Sequence, residues 1–196
     1  ESGPAGGAIL ACDVARQCGF NEVVSFDMGG TTAKICLVDE AQPQMSRDME
    51  VARAYRFKAG SGLPLRIPVI EMVEIGAGGG SIARLDAMQR IQVGPQSAGA
   101  QPGPACYGQG GSAPTVTDAN VVLGRIDPNH FAGGTMVLDA EAAKAALRTG
   151  LTGLGEAVPA AFGIAEIVDE NMANAAREHA VERGKSLAGR TLIAFG

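Results

Sequence analysis

Residues Phe26–Lys34 read FDMGGTTAK. One acid, two adjacent glycines and two threonines stand together in this stretch. Glycines without a Cβ let backbone N–H groups come close to a phosphate, and the hydroxyls of Thr31 and Thr32 add donors. Gly29, Gly30, Thr31 and Thr32 are therefore a candidate anion cradle. Asp27, at the end of an apolar run, would face the same anion and could hold a divalent cation through water. The alternative is a hairpin whose glycines only make the turn. The loop lies between two runs of strand formers, Glu22–Phe26 and Ile35–Val38. That setting separates it from the P-loop and the dinucleotide fingerprint, which both open into a helix.

Three other places carry chemistry-bearing residues. Gly76-Ala-Gly-Gly-Gly-Ser81 follows a strand-like run and forms a second glycine loop. Cys106 lies in a glycine- and proline-rich stretch. It could be a nucleophile or a metal ligand, but no base is near it in sequence, which favours a structural or substrate-lining thiol. Asp118 could bind magnesium or a substrate hydroxyl, or could cap the short helix behind it. His130 and His179 belong to no zinc or triad pattern, so a zinc site built by the protein is not expected.

These residues need a scaffold, and the composition allows one. Of 196 residues, 46% are hydrophobic and only 4% aromatic, with no Trp, so the core must be aliphatic. The 28 glycines are clustered, as in loops shaped around a ligand. The formal net charge is −5 with no basic run, which argues against nucleic acid and against an anionic membrane surface. No apolar stretch is long enough to span a bilayer. Cys12, Cys18, Cys36 and Cys106 form no C-x-x-C pair, so free thiols in a reducing cytoplasm are expected.

The pattern predicts helix Ala8–Cys18 ended by Gly19, after a loop-like SGPAGG at 2–7. Strands Glu22–Phe26 and Ile35–Val38 flank the cradle. Arg47–Lys58 reads as a strand. Leu63–Ile70 carries two prolines and belongs at an edge. Glu71–Ile75 is strand-like. Ile82–Leu85 and Arg90–Val93 read as an antiparallel pair, and Gly94–Pro114 as a long shaped loop. Helices follow at Asp118–Leu123 (capped by Thr115 or Thr117), Ala140–Arg148 (capped by Asp139) and Ile164–Arg183, whose apolar stripe includes His179. Asn171 lies near that stripe and reads as a hydrogen-bonded structural residue. The chain opens without an initiator Met and stops on Leu192–Gly196, a strand entering a glycine turn. It is expected to be part of a longer polypeptide.

Segments spread along the whole chain resemble one family. They are SGPAGG (2–7), FDMGGTT (26–32), IGAGGGSIA (75–83), GPQSAGAQPGPACYG (94–108), PTVTDANVVLGR (114–125), FAGG (131–134), NMANAAREHAVERG (171–184) and LIAFG (192–196). In this order they resemble the hydantoinase A/5-oxoprolinase family, which includes the ATP-handling subunits of acetone and acetophenone carboxylases. The resemblance implies an α/β, ribonuclease-H-like lobe of the actin/sugar-kinase/chaperone ATPase superfamily, with a mixed sheet and an antiparallel appendage. Residues 1–196 would be the lobe that carries the second phosphate loop, with an inserted region at 47–114.

The resemblance also implies ATP and Mg2+ as cofactors, and a cyclic amide such as a hydantoin or 5-oxoproline as substrate. Asp27 and Asp118 would be catalytic, and Asp27 would hold the metal. Gly29, Gly30, Thr31, Thr32, Lys34, Gly78, Gly79, Gly80 and Ser81 would contact the nucleotide. An N-terminal lobe of the same polypeptide and a hydantoinase B-like second subunit would complete the enzyme, so the isolated piece is expected to fold but not to hydrolyse ATP. Two alternatives stay open: the ATP-using subunit of a ketone carboxylase, and a non-catalytic nucleotide-binding module. The second is favoured by a departure. The family commonly has Ser-Thr-Asp after the loop threonine, where this chain has Thr32-Ala33-Lys34. Lys34 could pair with a phosphate oxygen as a point charge, or point to solvent.

Overall fold

The computed structural model describes residues 2–52, 54 and 60–196. In chain order its elements are helix α1 (Ser2–Cys18), strands β1 (Glu22–Met28), β2 (Ala33–Asp39), β3 (Gln42–Pro43), β4 (Met45–Ser46), β5 (Met49–Val51), β6 (Leu63–Leu65), β7 (Val69–Ile70), β8 (Val73–Ile75), β9 (Ser81–Leu85) and β10 (Ile91–Ser97), helices α2 (Val116–Val122), α3 (Ala140–Gly150) and α4 (Ala157–Glu182), and strand β11 (Thr191–Phe195). Two compact units share them. One comprises residues 1–28, 33–75 and 174–196; the other comprises 29–32 and 76–173.

The first unit is built on a mixed sheet. β1 and β2 pair antiparallel from Glu22↔Asp39 to Met28↔Ala33, β3 and β8 both pair with β2, and β11 lies parallel to β1 from Val23↔Thr191 to Asp27↔Phe195. This is the α/β, ribonuclease-H-like arrangement expected. Side chains alternate between two cores, as strand pleating requires. Val23, Cys36 and Val38 pack with Ala8, Cys12 and Ala15 of α1. Val24, Ile35 and Leu37 pack with Ala180 of α4, beside Ala176 and Leu187. Both faces of the hairpin are therefore covered, and a one-residue slip would exchange the two cores.

Several boundaries differ from the sequence reading. The 2–7 segment is not a loop but the first turns of α1. Pro4 sits where no helical N–H is required, and Gly7 lets the helix lie against the Phe195 ring, where a Cβ would collide. α4 starts at Ala157, not Ile164. Pro159 is tolerated in its first turn, and buried Ala160, Ala161, Ile164, Ala165, Val168 and Met172 continue one stripe. Asn171 is exposed rather than buried. Of the strand expected at Arg47–Lys58, the described part is β5, paired with β6, while β4 pairs with β7; residues 53 and 55–59 lie outside the described residues.

The second unit holds the β9/β10 hairpin, expected from sequence, with α2, α3 and the start of α4. Its core includes Cys106, Val121, Leu138 and Ala143, bordered by Tyr107 and Phe131, whose ring centroids are 5.7 Å apart. Thr115 caps α2 in a capping box with Asp118, and Asp139 caps α3. Among the described residues no helix is long and apolar enough to cross a membrane.

One ionic cluster ties the segment before β11 to the end of β2. The Arg190 side chain is only 3% exposed; its guanidinium lies 2.6 Å from Asp39 and donates to the Val38 carbonyl. Lys185 also pairs with Asp39. Burial pushes the Asp39 carboxyl up, but Lys185 and Arg190 outweigh this and hold it below its ordinary value. Its contribution is therefore present above the unfolded carboxylate range, near pH 3.9, and is lost as pH falls through the lower folded value. Asp39→Asn should cost roughly 1–3 kcal/mol at pH 7, because a buried guanidinium loses the nearer of its two counter-charges and keeps Glu22 at 3.4 Å. Urea titrations at pH 7 and pH 3 test this, and the parent–variant gap should shrink at pH 3.

Candidate functional site

The loop between β1 and β2 closes with a bond from Gly29 N–H to the Thr32 carbonyl, 3.0 Å. Its shape is set from outside. Gly79 N–H donates to the Gly29 carbonyl at 3.1 Å, and Gly80 N–H donates to the Gly30 carbonyl at 2.6 Å. A trans peptide is planar, so the carbonyl of one residue and the N–H of the next point in opposite directions. With the Gly29 and Gly30 carbonyls turned toward Gly79 and Gly80, the N–H groups of Gly30 and Thr31 are turned away from them. Neither N–H has an acceptor among the described residues. Gly29, Gly30 and Thr31 are exposed, and a Cβ built at Gly30 meets nothing within 4 Å. Two adjacent N–H groups over open space are an arrangement that suits an anion.

Gly30 has an ordinary backbone φ and an empty surround, so neither strain nor crowding calls for glycine there. What glycine leaves is room beside the two donors. Thr32 is buried, so Thr31 is the loop threonine whose side chain faces solvent.

The second glycine loop does different work. Gly78 N–H donates to Ser81 Oγ (2.9 Å), Ser81 N–H to the Gly78 carbonyl (3.0 Å), and the N–H groups of Gly79 and Gly80 to the cradle. All four backbone N–H groups of the predicted ligand loop are thus spent inside the protein. A Cβ at Gly78 would lie 2.6 Å from the Gly29 carbonyl oxygen and 2.7 Å from the carbonyl carbon of Thr31. Gly78, Gly79, Gly80 and Ser81 form a buttress under the cradle. The repeated glycines were visible in sequence; their partner was not.

Asp118 is fully buried. Its Oδ2 accepts from Thr115 Oγ1 (2.7 Å), Thr115 N (3.0 Å) and Ala105 N (3.2 Å), and its Oδ1 accepts from Cys106 N (2.8 Å). Of the two roles open to it from sequence, this geometry is the cap, extended to pin the 3₁₀ turn Ala105–Tyr107. Cys106 is fully buried beside it; burial first, then the Asp118 charge, pushes its thiol far above the ordinary range, which keeps it protonated and unreactive. Burial likewise raises Cys36, to about 11.

The other predicted residues lie in the first unit. Asp27, next to last in β1, lies opposite Lys34 in register and is half-buried. Lys34 neither faces solvent nor stands alone: it is 19% exposed and 3.4 Å from Glu74, its cross-strand neighbour on β8. His179 is 6% exposed, and burial favours its neutral form. Among the described residues no three of His, Cys, Asp and Glu come together to hold a metal ion.

The hydantoinase/oxoprolinase family model matches residues 1–196, the whole chain. The chain belongs to this family. The alpha subunit of caprolactamase from Pseudomonas jessenii is 41% identical over 198 residues, covering 100% of this chain and 27% of that protein. The acetophenone carboxylase gamma subunit of Aromatoleum aromaticum is 39% identical, covering 100% of this chain and 26% of that protein. A nucleotide-free structure of acetone carboxylase, from a study of ATP-dependent acetone carboxylation, matches with TM-score 0.84 at 28% identity, over 100% of this chain and 27% of that one. The structure of the ATP-dependent caprolactamase matches at TM-score 0.81 and 36% identity, with the same coverage. The chain thus spans about a quarter of these relatives' length.

The two glycine loops make opposite predictions. Gly78→Ala should destabilise by roughly 1–3 kcal/mol, since backbone cannot retreat as a side chain does. Gly30→Ala, into open space at an ordinary φ, should leave thermal stability within about 1 kcal/mol of the parent. Thermal denaturation of both variants checks the pair. In the native protein a thiol reagent should modify exposed Cys18 and spare buried Cys12, Cys36 and Cys106 until denaturant is added; mass spectrometry of labelled peptides reads this out.

Proposed function

We propose that this chain supplies a phosphate-binding loop to an ATP-dependent enzyme that opens a cyclic amide. The observation that carries the reading is the cradle itself: the outward N–H groups of Gly30 and Thr31, held by backbone bonds over a space left clear by glycine. Donors fixed before the ligand arrives need no reorganisation when charge develops on a phosphoryl group. In this reading Gly30 and Thr31 N–H donate to phosphate oxygens, and the exposed Thr31 hydroxyl adds a third donor.

Magnesium takes most of its ligands from phosphate and water and needs one or two protein carboxylates. Asp27, two residues before Gly29 in the chain, fits that requirement. Bound ATP would supply the phosphoryl group that turns a stable amide oxygen into a leaving group. The residues of this chain would hold the phosphates and neutralise their charge. Asp118 contributes through the turn it pins rather than by touching substrate, and Gly78–Ser81 contribute as support. A further lobe of the polypeptide and a second subunit would supply the rest of the site. The second reading, a ketone carboxylase subunit, is supported by the carboxylase relatives; it uses the same loop in the same way. The departure at Lys34 is accommodated by Glu74 and gives no separate support to a non-catalytic module.

The test is phosphate release by the full-length polypeptide with its partner subunit. Gly30→Val, which places a branched side chain beside the two donors, and Asp27→Ala should each lower ATP turnover by on the order of a hundredfold or more, with unchanged circular dichroism. Parent-like turnover in both would remove the assignment. Cyclic amide as the stimulating co-substrate favours the hydrolase; ketone with bicarbonate favours the carboxylase.

A further inference from the structure

The buttress under the cradle is itself held. Its two outer carbonyls take donors from different parts of the second unit: Ala98 N–H donates to the Gly80 carbonyl at 2.8 Å, and Thr117 gives the Gly79 carbonyl both its N–H and its Oγ1, each at 2.8 Å. Thr117 is 4% exposed and stands between Thr115 and Asp118 in the first turn of α2. That turn is fixed by the capping box and by the Asp118 bonds to Ala105 and Cys106. A continuous path of short bonds results. It runs from Thr117 into the Gly79 carbonyl, whose peptide carries the Gly80 N–H, and from Gly80 N–H into the Gly30 carbonyl, whose peptide carries the Thr31 N–H. Each bond polarises the next amide, so a donor on Gly79 oxygen strengthens the bond that Gly80 nitrogen makes.

We propose that Thr117 is a positioning residue for phosphate binding: without touching ligand, its hydroxyl fixes the Gly79–Gly80 peptide, and through it the direction of the Thr31 N–H. The inference rests on the assignment of Gly29–Thr32 as the phosphate loop. A β-hydroxyl is required and its methyl is not, since serine offers the same donor to the same carbonyl. Valine keeps the volume and the N–H bond but removes the second donor.

The experiment uses the full-length polypeptide with its partner subunit and compares Thr117→Val, Thr117→Ser and Gly30→Val. Thr117→Val should raise the KM for ATP about fivefold, the size of one lost buried hydrogen bond, and leave the KM for the cyclic amide unchanged. Thr117→Ser should restore the parent value. A variant that merely loses active fraction would lower kcat and keep KM. Hydrogen exchange gives a readout apart from activity: the Gly80 amide should exchange about tenfold faster in Thr117→Val, because its bond to Gly30 opens more often. Parent-like KM and parent-like exchange in Thr117→Val, beside an inactive Gly30→Val, would overturn the positioning role and leave the phosphate loop standing. Parent-like turnover in Gly30→Val would overturn both. If valine prevents folding, Thr117→Ala removes the same hydroxyl in a smaller side chain and is read by the same two measurements.

Discussion

Peptide planarity is the constraint on which the candidate site depends. A short loop cannot choose the direction of its N–H groups one by one; each is tied to the preceding carbonyl. Gly79 and Gly80 use that linkage by holding the carbonyls of Gly29 and Gly30. The donors that remain face outward as a pair. No side chain of the loop is needed to aim them, which is why glycine can occupy both positions and keep the approach clear.

The sheet of the first unit meets a related demand on a larger scale. β1 and β2 are buried on both faces, and their alternate residues belong to different cores. The hairpin register is therefore determined twice over, which fixes where the strands end and the connecting loop begins. Small side chains make the close packing possible: an alanine and cysteine stripe on α1, and Gly7 against Phe195. A core with so few aromatics stays dense by bringing backbones together rather than by filling space with rings.

Much of this was readable from the chain. The strands around the cradle, the β9/β10 hairpin and the caps at Thr115 and Asp139 rest on local patterns: alternation, turn residues and short polar side chains before helices. The features that local pattern did not show depend on partners distant in sequence. SGPAGG looks like a loop because its helix-breaking composition is visible and the Phe195 ring that Gly7 admits is not. GAGGGS looks like a ligand loop because clustered glycine signals close backbone approach without saying to what; here the approaching backbone is Gly29–Thr31. Lys34 looked as if it faced either phosphate or solvent, because the strand that brings Glu74 beside it comes 40 residues later. Asp118 was ambiguous for the opposite reason. Its local cap was evident, but the two N–H groups of Ala105 and Cys106 that complete its shell come from the long loop before it.

The buttress also changes where the heritable specification of the loop resides. Because Gly29 and Gly30 are oriented by Gly78–Gly80, the information for the loop's shape is written some 50 residues downstream of the loop itself. The side chains just after the cradle are then released from shaping it. Lys34, just after the loop, has Glu74 of the neighbouring strand beside it. The shape of the loop and the charge beside it are thus specified by different stretches of the chain.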